Sequence, residues 1–149
     1  MVRPNALDMI DAFISSYEGM FGRFSKDDET APMSASASSP DGDNVSVVRF
    51  DIPDDVVSEF ENRKAFIESK RGRLGPMGKL QPFDCRCDFE DSFGGILNFN
   101  LLGKVGGFFF FTAHKNGVLL FIQAYSTAGK GQVPDLERDE IIEAAYRTM

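Results

Sequence analysis

Apolar and polar positions recur along this chain with two different periods, and the switches between them mark its elements. From Asn5 to Phe24, the residues Leu7, Ile10, Ile14, Tyr17, Phe21 and Phe24 fall at alternating spacings of three and four, which lines them along one stripe of a helix. Asn5 is placed to cap it, Asp8 sits near the positive end of its dipole, and Gly19 and Gly22 weaken its last turns. The period then changes to two. Val48, Phe50 and Ile52 alternate with Val47, Arg49 and Asp51, predicting a strand over 45–52 that Pro53 ends. A second helix follows Asp54 and Asp55, with Val56, Val57, Phe60, the stem of Lys64 and Ile67 on one face and Lys70, Arg71 and Gly72 at its close.

Residues 73–80 read as a loop, and strict alternation resumes over 82–90, where Phe83, Cys85, Cys87 and Phe89 oppose Asp84, Arg86, Asp88 and Glu90. That pattern predicts a half-buried antiparallel strand. Asp91 to Gly95 reads as a turn into a strand over 96–102, in which Leu97, Phe99 and Leu101 oppose Asn98 and Asn100. The densest apolar stretch, Phe108 to Tyr125, is divided into equal arms by Asn116-Gly117. This pair favours a type I′ turn, because both central residues need positive φ, and the stretch is read as a β-hairpin. A loop over 126–133 leads to a last helix from Pro134 and Asp135, with Leu136, Ile141, Ile142 and Ala145 available to a core.

The predicted order is α-β-α-β-β-β-β-α. It describes an α+β fold: an antiparallel sheet of about five strands, a meander ending in the Asn-Gly hairpin, covered by two or three helices. Residues 1–24 form an N-terminal amphipathic helix, 25–44 a flexible, acidic, Ser/Ala-rich linker, and 45–149 a single α+β domain. The linker could span on the order of 65 Å when extended, so the first helix has its choice of docking on its own domain or on a second copy. In element order alone, the chain from Phe83 onward resembles the small antiparallel α/β sandwiches of the PsbP type, in which such a hairpin leads to a C-terminal helix. No functional residue is carried over from that likeness.

Composition changes the picture at two points. Fifteen Phe and no Trp in 149 residues imply a thick aromatic interior or an aromatic-lined cavity. A formal net charge of −7 argues against a nucleic-acid binder, whose affinity rests on Lys and Arg, and an anionic membrane surface is disfavoured for the same reason. No apolar run approaches the ~20 residues of a membrane span, and Met1-Val-Arg-Pro-Asn5 carries no signal-peptide pattern, so a cytoplasmic location is expected.

Candidate chemistry is sparse. Cys85 and Cys87 read as structural thiols, since metal binding would need further soft ligands and the chain has one His and no other Cys. A redox pair or an intersubunit metal site is the sharper alternative. The only histidine, His114, sits just before the hairpin tip with no spacing that supplies a catalytic partner. Gly72 to Lys79 has the wrong spacing for a P-loop, follows a helix and ends in Leu80 where a hydroxyl is required. The anion-binding reading of Ala128 to Gln132 is countered by Asp135, Glu137 and Asp139. No catalytic residue, metal or cofactor is therefore expected.

Two surfaces remain. Arg63, Lys64, Lys70, Arg71, Arg73 and Lys79 form a basic cluster in an acidic chain, either a solvated helix face or a dock for an acidic partner; Asp84, Asp88, Glu90 and Asp91 offer an opposite patch. Across Asn116-Gly117, pairing puts Phe109, Phe111, Ala113, Leu120, Ile122 and Ala124 on one wholly apolar face. Phe108, Phe110, Thr112, His114, Leu119, Phe121, Gln123 and Tyr125 share the other, too apolar for bare solvent and too polar for a blind interior. The leading expectation is a non-enzymatic protein-binding or adaptor domain acting through this face and the basic cluster, on a protein partner or as a homodimer. The alternative is a carrier of a small apolar, lipid-like ligand, held in an aromatic cavity under the C-terminal helix by Phe108, Phe110, Leu119, Phe121 and Tyr125, with His114, Gln123 and Thr112 fixing its polar head.

Overall fold

Hydrogen bonding ties every described strand into one sheet with the hairpin. In the computed structural model, residues 6–17, 25–26, 34–38, 44–73, 78–83, 85–101, 104–126 and 135–149 are described. Their elements are α1 (Ala6–Ser16), β1 (Ser25–Lys26), β2 (Ser34–Ser38), β3 (Asn44–Asp51), α2 (Val56–Arg73), β4 (Gly78–Phe83), β5 (Asp91–Leu101), β6 (Lys104–Lys115), β7 (Val118–Ser126) and α3 (Asp135–Thr148). All strands join one sheet in the order β1-β2-β3-β7-β6-β5-β4, and each neighbouring pair is antiparallel. The fold is thus α+β with an antiparallel sheet. Among the described residues the sheet has seven strands instead of about five.

β6 and β7 meet across Asn116 and Gly117, whose φ angles are 54° and 78°, with Lys115 opposite Val118. A backbone N–H of Asn116 also donates to Glu90 Oε2 at 2.5 Å, and the Glu90 N–H donates to the His114 carbonyl at 3.0 Å. Four antiparallel steps separate β3 from β4 in the sheet, so the two run parallel with three strands between them. A parallel connection needs a crossover, so α2 has to pass over the sheet between them. It lies over β4 to β7, opposite the face taken by α1 and α3.

The main core lies on that α1/α3 face. Phe109, Phe111, Ala113, Leu120, Ile122 and Ala124 of the hairpin and Val48 and Phe50 of β3 are buried against Ile10 and Phe13 of α1 and Ile141, Ile142 and Ala145 of α3. Full burial of each such Phe or Ile is worth roughly 1.5–3 kcal/mol. The core of α1 is broader than the expected stripe: Met9 and Phe13 are buried, Ile14 only partly, because an apolar arc facing a core spans more than 100°. α1 ends at Ser16, and the predicted continuation through Phe21 and Phe24 lies outside the described residues.

Three other expectations are corrected. The segment expected as a linker contributes β1 and β2, and β2 pairs along β3 from Ser34↔Arg49 to Ser38↔Val45. Its Ser-Ala-Ser-Ala-Ser sequence has the period of a strand but no hydrophobic signal, and the backbone ladder to β3 supplies what the side chains do not advertise. The second correction is to the alternating stretch: the strand lies earlier, at Gly78–Phe83, overlapping the end of the expected loop and only the first two residues of the expected strand, and 85–90 is irregular. Cys85, Cys87 and Phe89 still pack on the core while Arg86, Asp88 and Glu90 are exposed, so the alternation recorded burial without a ladder. Asp84 lies outside the described residues. Finally, Asp91 to Gly95 begins β5 instead of turning the chain; Gly94 and Gly95 stand opposite Phe111 and Phe110, where a missing side chain makes room for a Phe-rich neighbour.

The turn geometry has a direct test. A Cβ at Gly117 would meet nothing within 4 Å, so replacing it carries only the conformational cost of a positive φ. Gly117→Ala should lower the free energy of unfolding by about 1 kcal/mol, measured by urea denaturation with an unchanged slope.

Candidate partner-binding site

The second face of the hairpin is set by the same two-residue period as the core. On β6 and β7 it carries Phe110, Thr112, His114, Leu119 and Phe121, and all five are buried. The covering helix is α2. Ile67 packs with Phe110 and Phe121, and the Phe60 ring meets the edge of His114 at 5.2 Å. This corrects the expectation that the C-terminal helix lies over this face; α3 sits on the opposite side, because α2 is the crossover and takes the second face first.

Each polar group on this face has a definable place. Thr112 donates its hydroxyl to the Leu120 carbonyl at 2.9 Å. His114 is 7% exposed, and its Nδ1 is buried without a hydrogen-bond partner among the described residues. Phe108 is half-buried and stacks on Phe110 at 6.1 Å, and Gln123 is half-buried at the margin. Tyr125 pairs with Phe108 in the ladder, and its side chain lies outside the described set.

The basic cluster divides. Arg63 and Lys64 occupy the inner side of α2, three and four residues after Phe60, and are half-buried. The Arg63 guanidinium lies 5.1 Å from the centre of the Phe121 ring, and Lys64 Nζ lies 5.5 Å from that of Phe93. Long basic side chains here do the covering that aliphatic residues do elsewhere, with their charges over aromatic faces. Lys70, Arg71 and Arg73 belong to the end of α2 and Lys79 to β4, and their side chains lie outside the described set. On the acidic side, Glu90 is engaged at the hairpin turn and Asp91 accepts from the Ser92 N–H at 2.9 Å.

Sequence reasoning misses three residues that complete this margin. Arg49 and Asp51 of β3 stand opposite Phe121 and Leu119, which puts them on the α2 side of the sheet. Arg49 Nε donates to both Asp51 carboxylate oxygens at 3.1 and 2.9 Å, and Arg63 Nη2 reaches Oδ2 at 3.5 Å. Phe66 approaches Phe121 edge-on at 6.3 Å yet remains 44% exposed. A signal existed for Phe66, an apolar residue off the buried stripe of α2. None existed for Arg49 and Asp51, whose neighbour became known only with the β3–β7 pairing.

The thiols lie elsewhere, on the α3 face. Cys85 Sγ is 3.7 Å from the Cys87 carbonyl oxygen and 3.9 Å from Ser92 Oγ. Burial pushes the Cys87 thiol from an ordinary 9.0 to about 11, helped by Cys85, Glu143 and Asp139 and opposed by Arg147. No group of three or more metal-ligating side chains occurs among the described residues. No helix among them is long and apolar enough to cross a membrane. Compared with known protein families and with characterised proteins, the chain matches none.

Two outcomes are expected. His114→Phe keeps the aromatic contact with Phe60 and removes the unpartnered nitrogen, so it should raise the unfolding free energy by about 1 kcal/mol; a loss would reveal a polar partner for that nitrogen in solution. Cys87 should alkylate negligibly at neutral pH and only as the pH nears 11, followed by mass spectrometry of iodoacetamide-treated protein. Because its folded value lies above the unfolded one, its share of stability is intact below pH 9.0 and declines from there to about 11.

Proposed function

We propose that this chain is a non-enzymatic protein-binding or adaptor domain of the cytoplasm, with its contact surface at the margin where α2 meets β3. The observation that carries this reading is Phe66: a large aromatic side chain 44% exposed, beside the Arg63 guanidinium and edge-on to buried Phe121. Aromatic and arginine side chains set together at a partly desolvated surface are the residues that dominate protein–protein affinity.

The raised Cys87 value favours a structural thiol over a nucleophile, in keeping with a binding role. The apolar-ligand carrier draws less support, because Phe60 and Ile67 rest on the aromatic face that its ligand would take.

A photo-crosslinking amino acid placed at Phe66, and in a second protein at exposed Glu140 of α3, tests the assignment. Irradiation in a lysate of the source cells should give a discrete adduct from position 66 and none from 140. Light scattering on the purified protein separates a second copy from a different partner. Equal adducts at both positions, or none at 66, would sink the reading.

A further inference from the structure

We infer that Arg49 and Arg63 form a carboxylate-binding fork for an acidic segment of a protein partner, with Phe66 receiving an adjacent apolar side chain. This rests on the protein-binding reading and adds the chemical class of the ligand. Two guanidinium groups converge on the single carboxylate of Asp51, from 2.9 Å and 3.5 Å, so the trio retains one net positive charge within a chain of net charge −7. The two arginine side chains are 39% and 29% exposed, whereas Asp51 is 16% exposed beneath them. The cations face solvent and the anion holds them from behind.

The donor inventory leaves capacity for a ligand. Arg49 uses Nε on Asp51 and Arg63 uses Nη2, so among the described contacts Arg49 Nη1 and Nη2 and Arg63 Nη1 and Nε donate to no other carboxylate. The Nη1/Nη2 end of Arg49 matches a carboxylate with two parallel hydrogen bonds, and Arg63 can add a further one from Nη1. Phe121 fixes the plane of the Arg63 guanidinium from below, which lowers the entropy lost when a ligand docks on its other side. α1 packs on the opposite face of β3, and α2, which lies mainly over β4 to β7, reaches this side of β3 through Arg63.

Charge decides between ligand classes. One excess positive charge matches an isolated Glu or Asp, while a nucleic acid would bring a run of phosphates towards an acidic molecule. An anionic membrane meets the same opposition. A carboxylate next to an aromatic or aliphatic residue satisfies both the fork and Phe66.

The test uses the full chain and a short fluorescent peptide with a single Glu flanked by Phe and Leu, followed by anisotropy. Its Gln-substituted counterpart and a single-stranded oligonucleotide of equal charge serve as comparison probes. The Glu peptide should bind at least about tenfold more tightly than the Gln peptide, and Arg49→Gln should weaken it about tenfold without lowering the melting temperature. Equal binding of Glu and Gln peptides, tighter binding of the oligonucleotide, or indifference to Arg49→Gln would overturn the fork. Repeating the Phe66 crosslink in the Arg49→Gln background separates the two readings: an undiminished adduct keeps the protein-binding surface and removes the fork, whereas loss of the adduct supports both.

Discussion

The register across Asn116-Gly117 is the constraint from which most of this molecule follows. Because side chains alternate across a strand, a shift of one residue would exchange the two faces of β6 against β7. With β7 held in place, it would put Phe109 and Phe111 under α2 and Thr112 and His114 in the main core, opposed to the side chains they now share a face with. Two positive-φ residues at the turn resist that shift, and so does Glu90, which binds the Asn116 N–H from a different segment. Once the register holds, the wholly apolar face demands the larger cover of α1 and α3. The mixed face is left for a crossover helix that can meet polar groups with polar side chains.

α2 shows what that second cover requires. Its inward side is two apolar residues, Phe60 and Ile67, interleaved with Arg63 and Lys64. An all-aliphatic helix would bury more apolar area, but it would leave the Asp51 carboxylate on β3 with Arg49 alone as its partner beside an apolar interface. Arg63 meets both requirements, with its guanidinium on Phe121 and one nitrogen on Asp51. Such an exposed pair adds little stability by itself, on the order of 0–1 kcal/mol. Its consequence is positional: it holds a charged group at a defined orientation on the surface.

How much of this was legible in the residues depends on whether the signal was carried by side chains or by the backbone. The hairpin faces, β3, α2, α3 and the start of α1 follow from apolar period, and the helical and strand assignments there agree with the observed elements. β2 was not legible, because Ser and Ala present a period without a preference for burial, and only the hydrogen-bond edge of β3 reveals its use. Residues 85–90 mislead in the opposite sense. Their alternation is real, and Cys85, Cys87 and Phe89 do point to the core, but extended chain can alternate without pairing. The glycines at 94 and 95 looked like a turn because glycine most often serves one; here they face phenylalanines across a ladder.

The candidate site divides along the same line. Its buried part, Phe110, Thr112, His114, Leu119 and Phe121, could be gathered from the hairpin alone, because two strands and one turn determine which residues share a face. Arg63 could be named as part of a charge cluster, yet its place over Phe121 could not, since that depends on α2 crossing the sheet. Arg49 and Asp51 required one further step, the pairing of β3 with β7 instead of with its neighbour in sequence. The non-local contact converts three unremarkable residues into one arrangement. Asp51, at the last position of β3, orients Arg49 on its own strand and Arg63 on the helix that begins five residues later, so β3 and α2 are held together by the same carboxylate that shapes their outer surface.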